Sequence, residues 1–116
     1  MTARKEIGDK GEDNAVNFLF ASGYEVLERN YRFSRGEIDI IAMKDSVMVF
    51  IEVKTRKNIK YGYPETFLSE PQEDRIHRAA EEYVLQKAWQ GEVRFDIIAI
   101  LWDGRELTLD HFEDAF

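Results

Sequence analysis

Glu52 and Lys54 stand two residues apart near the end of an apolar run, Val47 to Thr55. Alternate side chains of a strand share a face. Met48, Phe50, Glu52 and Lys54 are therefore expected on one side, with Val47, Val49, Ile51 and Val53 on the other. Just upstream, Glu37 and Asp39 alternate with Ile38 and Ile40, which places two acids on one face and two isoleucines opposite. Lys44-Asp45-Ser46 joins the two runs as a short hairpin connection, so Asp39 is expected close to Glu52. Alone, Glu52 and Lys54 would read as a same-face salt bridge. The second acidic pair changes that reading, because like charges side by side destabilise a sheet unless something compensates. Carboxylates in excess of one lysine suit a hard cation such as Mg²⁺ or Mn²⁺. The matching chemistry is metal-assisted phosphodiester hydrolysis: the ion polarises a phosphate, and Lys54 orients the attacking water or offsets the charge of the transition state.

The elements that must position these residues read in the order αβββαββ. Thr2 to Ser22 has Ile7, Gly11, Ala15, Phe18 and Leu19 at helical spacing, with Ser22-Gly23 as its stop. On that helix Glu12, Val16 and Leu19 share a stripe, bordered by Gly8 and flanked by Gly11 and Ala15. An acid on a stripe that should be buried needs a partner or a route to water, and small neighbours let the helix approach the sheet. Tyr24 to Tyr31 is a first strand, Ser34-Arg35-Gly36 a turn, and Glu37 to Met43 a second strand. Lys57 to Leu68, with Tyr61-Gly62-Tyr63-Pro64, reads as a substrate-contacting loop. Ser69, Pro71 and Gln72 form a capping box that starts a second helix. Its inner face is expected at Ile76, Ala80, Tyr83, Val84 and Lys87, and its end at Gly91. Val93 to Trp102 and Glu106 to Phe112 are the last strands, joined at Asp103-Gly104. This order predicts a single α/β domain over residues 1–116, a mixed central sheet flanked by helices.

Other candidates are weaker. His77 and His111 lack metal-ligand spacing and are expected to be solvated. Asp96 shares a strand face with Ile98 and Ile100; it reads either as an acid supporting the site from behind or as the partner of a basic side chain, and the structural role is favoured. The chain has no cysteine, which excludes disulfides and thiolate metal sites. With 44% hydrophobic residues it can bury a core, yet no stretch is apolar enough to span a membrane. No apolar segment follows the charges of the N-terminus, so a cytoplasmic protein is expected. The net charge of −7 is unusual for a partner of a polyanion. It is unevenly spread: residues 1–60 hold 11 Lys/Arg against 10 Asp/Glu, and residues 61–116 hold 5 against 13. Basic residues gather near the proposed site, and Arg35, Arg56, Lys57 and Lys60 are expected to grip a nucleic acid there, rather than the second helix.

Several ordered motifs resemble a known family. Gly11-Glu12 with Ala15, Asn30-Tyr31-Arg32, Gly36-Glu37-Ile38-Asp39-Ile40-Ile41 and Phe50-Ile51-Glu52-Val53-Lys54-Thr55-Arg56 are similar to the YraN-like family of small bacterial proteins. Tyr61-Gly62, Arg75-Ile76 with Ala79-Ala80, and Arg94-Phe95-Asp96-Ile97 extend the match over nearly the whole chain. That family is grouped with the PD-(D/E)xK nucleases and resembles archaeal Holliday-junction resolvases. The resemblance implies a restriction-endonuclease-like fold and a Mg²⁺-dependent endonuclease acting on structured, including branched, DNA. It implies Asp39 and Glu52 as metal-binding acids, Lys54 as the catalytic lysine, Glu12 as an additional acid, and a homodimer. One departure stands out: the second helix begins Pro71-Gln72-Glu73-Asp74 where relatives are commonly basic. That favours the alternative of a non-catalytic module binding nucleic acid or protein on a degenerate nuclease fold.

Overall fold

The computed structural model describes residues 3–57 and 68–116, and of residues 3–9 only the helical course of the backbone. The elements are α1 (Ala3–Ala21), β1 (Glu25–Phe33), β2 (Gly36–Lys44), β3 (Val47–Arg56), α2 (Glu70–Lys87), β4 (Glu92–Trp102) and β5 (Leu107–Phe112). The expected αβββαββ order holds.

Local chemistry explains most boundaries. Gly23, at φ +89, ends α1. The Tyr24 amide donates to the Leu19 carbonyl at 2.9 Å and the Gly23 amide to that of Phe20 at 3.1 Å, the paired bonds of a Schellman motif. Asp45 and Ser46, both at positive φ, form the two-residue turn between β2 and β3, whose backbone twist suits a hairpin. β1 runs two residues beyond the expected Tyr31, because Phe33 still pairs with Gly36. At the start of α2, the Ser69 hydroxyl accepts from the Gln72 amide at 3.3 Å and the Gln72 side chain accepts from the Ser69 amide at 3.1 Å. Gly91 is not the end of that helix. The left-handed residue is Ala88, at φ 51, and Trp89 donates to the Val84 carbonyl at 3.0 Å. Lys87, expected on the inner face, is exposed, while Ala79 is fully buried.

The strands form one sheet in the order β1-β2-β3-β4-β5. All neighbours are antiparallel except β3 and β4, which α2 connects in parallel. The sheet is thus mixed and carries one helix on each face, a restriction-endonuclease-like arrangement. On the α1 face, Ala15, Leu19 and Tyr24 pack with Ile40, Ala42, Val49, Ile51, Ile98 and Ile100. On the α2 face, Ile76, Ala79, Ala80 and Tyr83 cover Ile38, Ile41, Met48 and Phe50. Two glycines allow close docking. A Cβ on Gly11 would collide with the Thr55 hydroxyl, and one on Gly36 with the Arg75 backbone carbonyl.

One expectation about β2 fails. Ile38 and Ile40 do not share a face: Ile38 lies in the α2-side core and Ile40 in the α1-side core. The change of face falls at Asp39 between them. The β2–β3 ladder ends at the pair Ile40 and Ile51, and the Val53 amide is taken up by the Asp39 carboxylate at 2.7 Å. A side chain, not the backbone, is the acceptor of that amide at the residue where the alternation breaks.

Candidate functional site

Asp39 and Glu52 meet where β2 leaves β3. Their carboxyl groups are hydrogen-bonded to each other. Glu52 lies on the face shared by Met48 and Phe50, as the alternation of β3 predicts. Burial, the charge of Asp39 and the bond to it push the Glu52 carboxyl up to about 9, while Lys54 pulls weakly the other way. Both acids line an open pocket of about 210 Å³, together with Arg35, Glu37, Gln72 and Arg75. The N-terminal half of α2 therefore faces the pair directly.

Glu12 reaches this neighbourhood from the other helix. Its carboxyl is raised by burial and by the charge of Asp39, against hydrogen bonds that favour its ionised form. Those bonds come from Arg29 (3.2 and 3.3 Å) and Asn30 (3.1 Å), and Arg29 also binds Asp13 at 2.9 Å. Glu12 is thus held by partners instead of reaching out to water, with its side chain 17% exposed. Asn30 adopts φ 54, a left-handed conformation within a strand, and its amide takes part in holding Glu12. Among the described residues no three acids gather tightly enough to hold one metal ion together. The carboxyls in direct contact are Asp39 and Glu52.

Of the residues expected to grip nucleic acid, Arg35 is exposed and lines the pocket. Lys57 is exposed, and half-buried Arg56 donates to the Thr55 carbonyl at 3.0 Å. Lys60 and the motif Tyr61-Gly62-Tyr63-Pro64 lie outside the described residues. Arg75 and Arg78 were not expected at a ligand site from the sequence, because they follow directly on the acidic first turn of α2; both line pockets here.

Residues 11–100 match the model of the uncharacterised protein family UPF0102. The chain is a UPF0102 protein. It is 42% identical to a UPF0102 protein of Flavobacterium psychrophilum, over 100% of this chain and 98% of that one. It is 46% identical to one of Dictyoglomus turgidum, over 97% of this chain and 98% of that one. The YraN-like resemblance read from the motifs is thereby borne out. Every motif that carried it from Gly11 to Ile97 lies in the UPF0102 region.

Asp96 has a different character from the acids of the pocket. It is fully buried on the α1 face and accepts two bonds from Arg94 (2.9 and 2.8 Å) and one from the Asp114 amide (3.0 Å). His111 lies 2.7 Å from it, and Arg94 also donates to the Tyr24 hydroxyl at 2.8 Å. Burial alone would raise the Asp96 carboxyl, but the bonds from His111, Arg94 and Asp114 outweigh it and hold the group below its usual range. The expected basic partner is therefore Arg94. Neither histidine is solvated in the way expected: His111 is 11% exposed, and His77 stacks on Phe116 and meets Phe95 edge-on. Partners distant in sequence decided both cases: Asp96, Phe18 and Tyr24 around His111, and Phe95 and Phe116 around His77.

Proposed function

We propose that this UPF0102 protein is a Mg²⁺- or Mn²⁺-dependent endonuclease that hydrolyses phosphodiester bonds in structured DNA. The observation that carries the reading is the carboxyl pair of Asp39 and Glu52, in contact at an open pocket with Lys54 beside it on β3. Two acids so close cannot both ionise without a compensating positive charge. A proton satisfies them in the metal-free protein, and a divalent ion can take its place. The donor set fits the group: Mg²⁺ commonly uses one or two carboxylates together with substrate phosphate and water. Asp39 and Glu52 would hold it, with Glu12 at the margin, and the ion would supply Lewis-acid polarisation of a phosphate oxygen.

The remaining roles belong to the chain's own groups. The Lys54 ammonium offers a hydrogen bond where negative charge builds on the phosphate in the transition state. The Val53 amide fixes the Asp39 carboxylate, so this acid does not need to reorganise when substrate arrives. Arg35 and Arg75 line the same pocket and offset the phosphate charge of the ligand. A panel of branched, flapped and duplex DNA at low salt tests the proposal. Divalent-dependent nicking is expected, with a loss of roughly 100-fold in Lys54→Ala, the scale seen when one transition-state donor is removed.

The second reading, a non-catalytic binding module, draws on Glu12 being engaged by Arg29 and Asn30 and on the acidic start of α2. A panel showing no cleavage, with the parent and Lys54→Ala alike, would favour it.

A further inference from the structure

A second pocket, of about 250 Å³, lies between the β1–β2 turn and α2, lined by Phe33, Arg35, Gly36, Asp74, Arg75 and Arg78 among others. We propose that Arg35, Arg75 and Arg78 bind a backbone phosphate of the nucleic acid next to the scissile one. This deepens the nuclease reading and rests on it for the identity of the ligand.

Four observations lead there. Arg75 and Arg78 are three residues apart on α2 and so lie on one side of the helix. The β1–β2 turn is seated directly on that helix, since a Cβ on Gly36 would collide with the Arg75 carbonyl and stand 3.3 Å from the Ala79 Cβ. That close approach is what places Arg35 beside the helix arginines. Among the described residues, none of the three guanidinium groups has an ion-pair or hydrogen-bond partner, and Asp74 is the acid in the lining. Clustered guanidinium groups repel one another unless an anion sits between them, and their planar forks match phosphate oxygens. Finally, Arg35, Gly36 and Arg75 also line the pocket of Asp39 and Glu52. The two pockets are contiguous, so a ligand with regularly repeated phosphates reaches both, whereas a lone phosphate occupies one. Phe33, 40% exposed in the lining, offers an apolar surface for a sugar or base of the same strand.

The test is binding of a labelled branched DNA, followed by fluorescence anisotropy in chelator so that cleavage plays no part. Arg78→Ala and Arg75→Ala should each weaken binding about five- to tenfold and reduce the slope of log affinity against log salt by about one. Arg105→Ala removes the same charge from an exposed turn outside both pockets and should leave affinity nearly unchanged. Melting curves report whether each variant is folded. Equal losses in Arg78→Ala and Arg105→Ala, or no binding of DNA by the parent, would overturn the inference. If the helix arginines prove specific while no DNA is ever cleaved, the nuclease reading fails and the phosphate site stands. If cleavage occurs and the arginine variants bind as the parent does, the reverse holds.

Discussion

Asp39 and Asp96 are both carboxylates with hydrogen-bond partners in the sheet, yet neutralising them should have opposite consequences. Asp39 faces Glu52 and Glu12, so removing its charge relieves repulsion. Asp39→Asn keeps an oxygen for the Val53 amide, whereas alanine would orphan that amide at a cost of about 1–3 kcal/mol. The asparagine variant should melt at the same temperature as the parent or higher in chelator. Mg²⁺ or Mn²⁺ should stabilise the parent by mass action and leave the variant unmoved. A destabilised variant together with a metal-indifferent parent would remove the basis for a metal site. Asp96→Asn, by contrast, strips the counter-charge from Arg94 and should cost about 3–5 kcal/mol, read by urea unfolding. The pH dependences differ in sign as well. Glu52 is raised from 4.5 to about 9, so the folded state holds a proton that the unfolded chain releases. Stability of the metal-free protein should therefore fall as pH climbs through that window. Asp96 is held below 3.8; its contribution is present above that value and is lost as pH drops through the folded pKa. Melts in chelator between pH 3 and 9 should show losses at both ends, and Glu52→Gln should flatten only the alkaline one.

At the scale of elements, α1 and α2 end in the same paired-bond geometry but with different residues at the left-handed position. Gly23 takes it without steric conflict, while Ala88 must hold φ 51 with a Cβ. A left-handed L-residue costs about 1–2 kcal/mol. Glycine adds unfolded-chain entropy worth about 0.4–1 kcal/mol in the other direction. The steric term wins by a small margin, so Ala88→Gly should stabilise the protein by about 0.5 kcal/mol, measured as a shifted urea midpoint with unchanged m. The start of α2 bears on the site itself. Its capping box places Gln72 in the lining of the Asp39–Glu52 pocket and Asp74 in that of the arginine pocket. The helix that looked unsuited to a polyanion from its first turn carries Arg75 and Arg78 immediately behind it.

For the whole molecule, a net charge of −7 opposes any polyanion at long range, and local arginines must overcome that field. DNA affinity should accordingly be modest and steeply dependent on salt. Exchanging Glu73 and Asp74 for lysine changes the charge at the start of α2, where Asp74 lines the arginine pocket, by four units and should tighten DNA binding several-fold while steepening its salt dependence. Unaltered affinity would mean that the substrate does not approach along α2. Among the described residues no helix is long and apolar enough to cross a bilayer.

Much of this protein is written locally. The period of two in β3 placed Glu52 on the side of Met48 and Phe50, and a two-residue hairpin brought Asp39 to it. The cap of α2 and the glycine stop of α1 are contacts within a few residues, which is why sequence alone revealed them. Tertiary structure decided what depends on partners far along the chain. At Asp39, which takes the Val53 amide, the alternation of β2 breaks and Ile38 and Ile40 enter opposite cores. Arg29 and Asn30 captured Glu12, and Arg94 and His111 closed around Asp96. The docking of Gly36 on α2 joined Arg35 to Arg75 and Arg78. Periodicity states which way a side chain points from its own element; which polar group waits there is settled only when another element arrives to satisfy or oppose its charge.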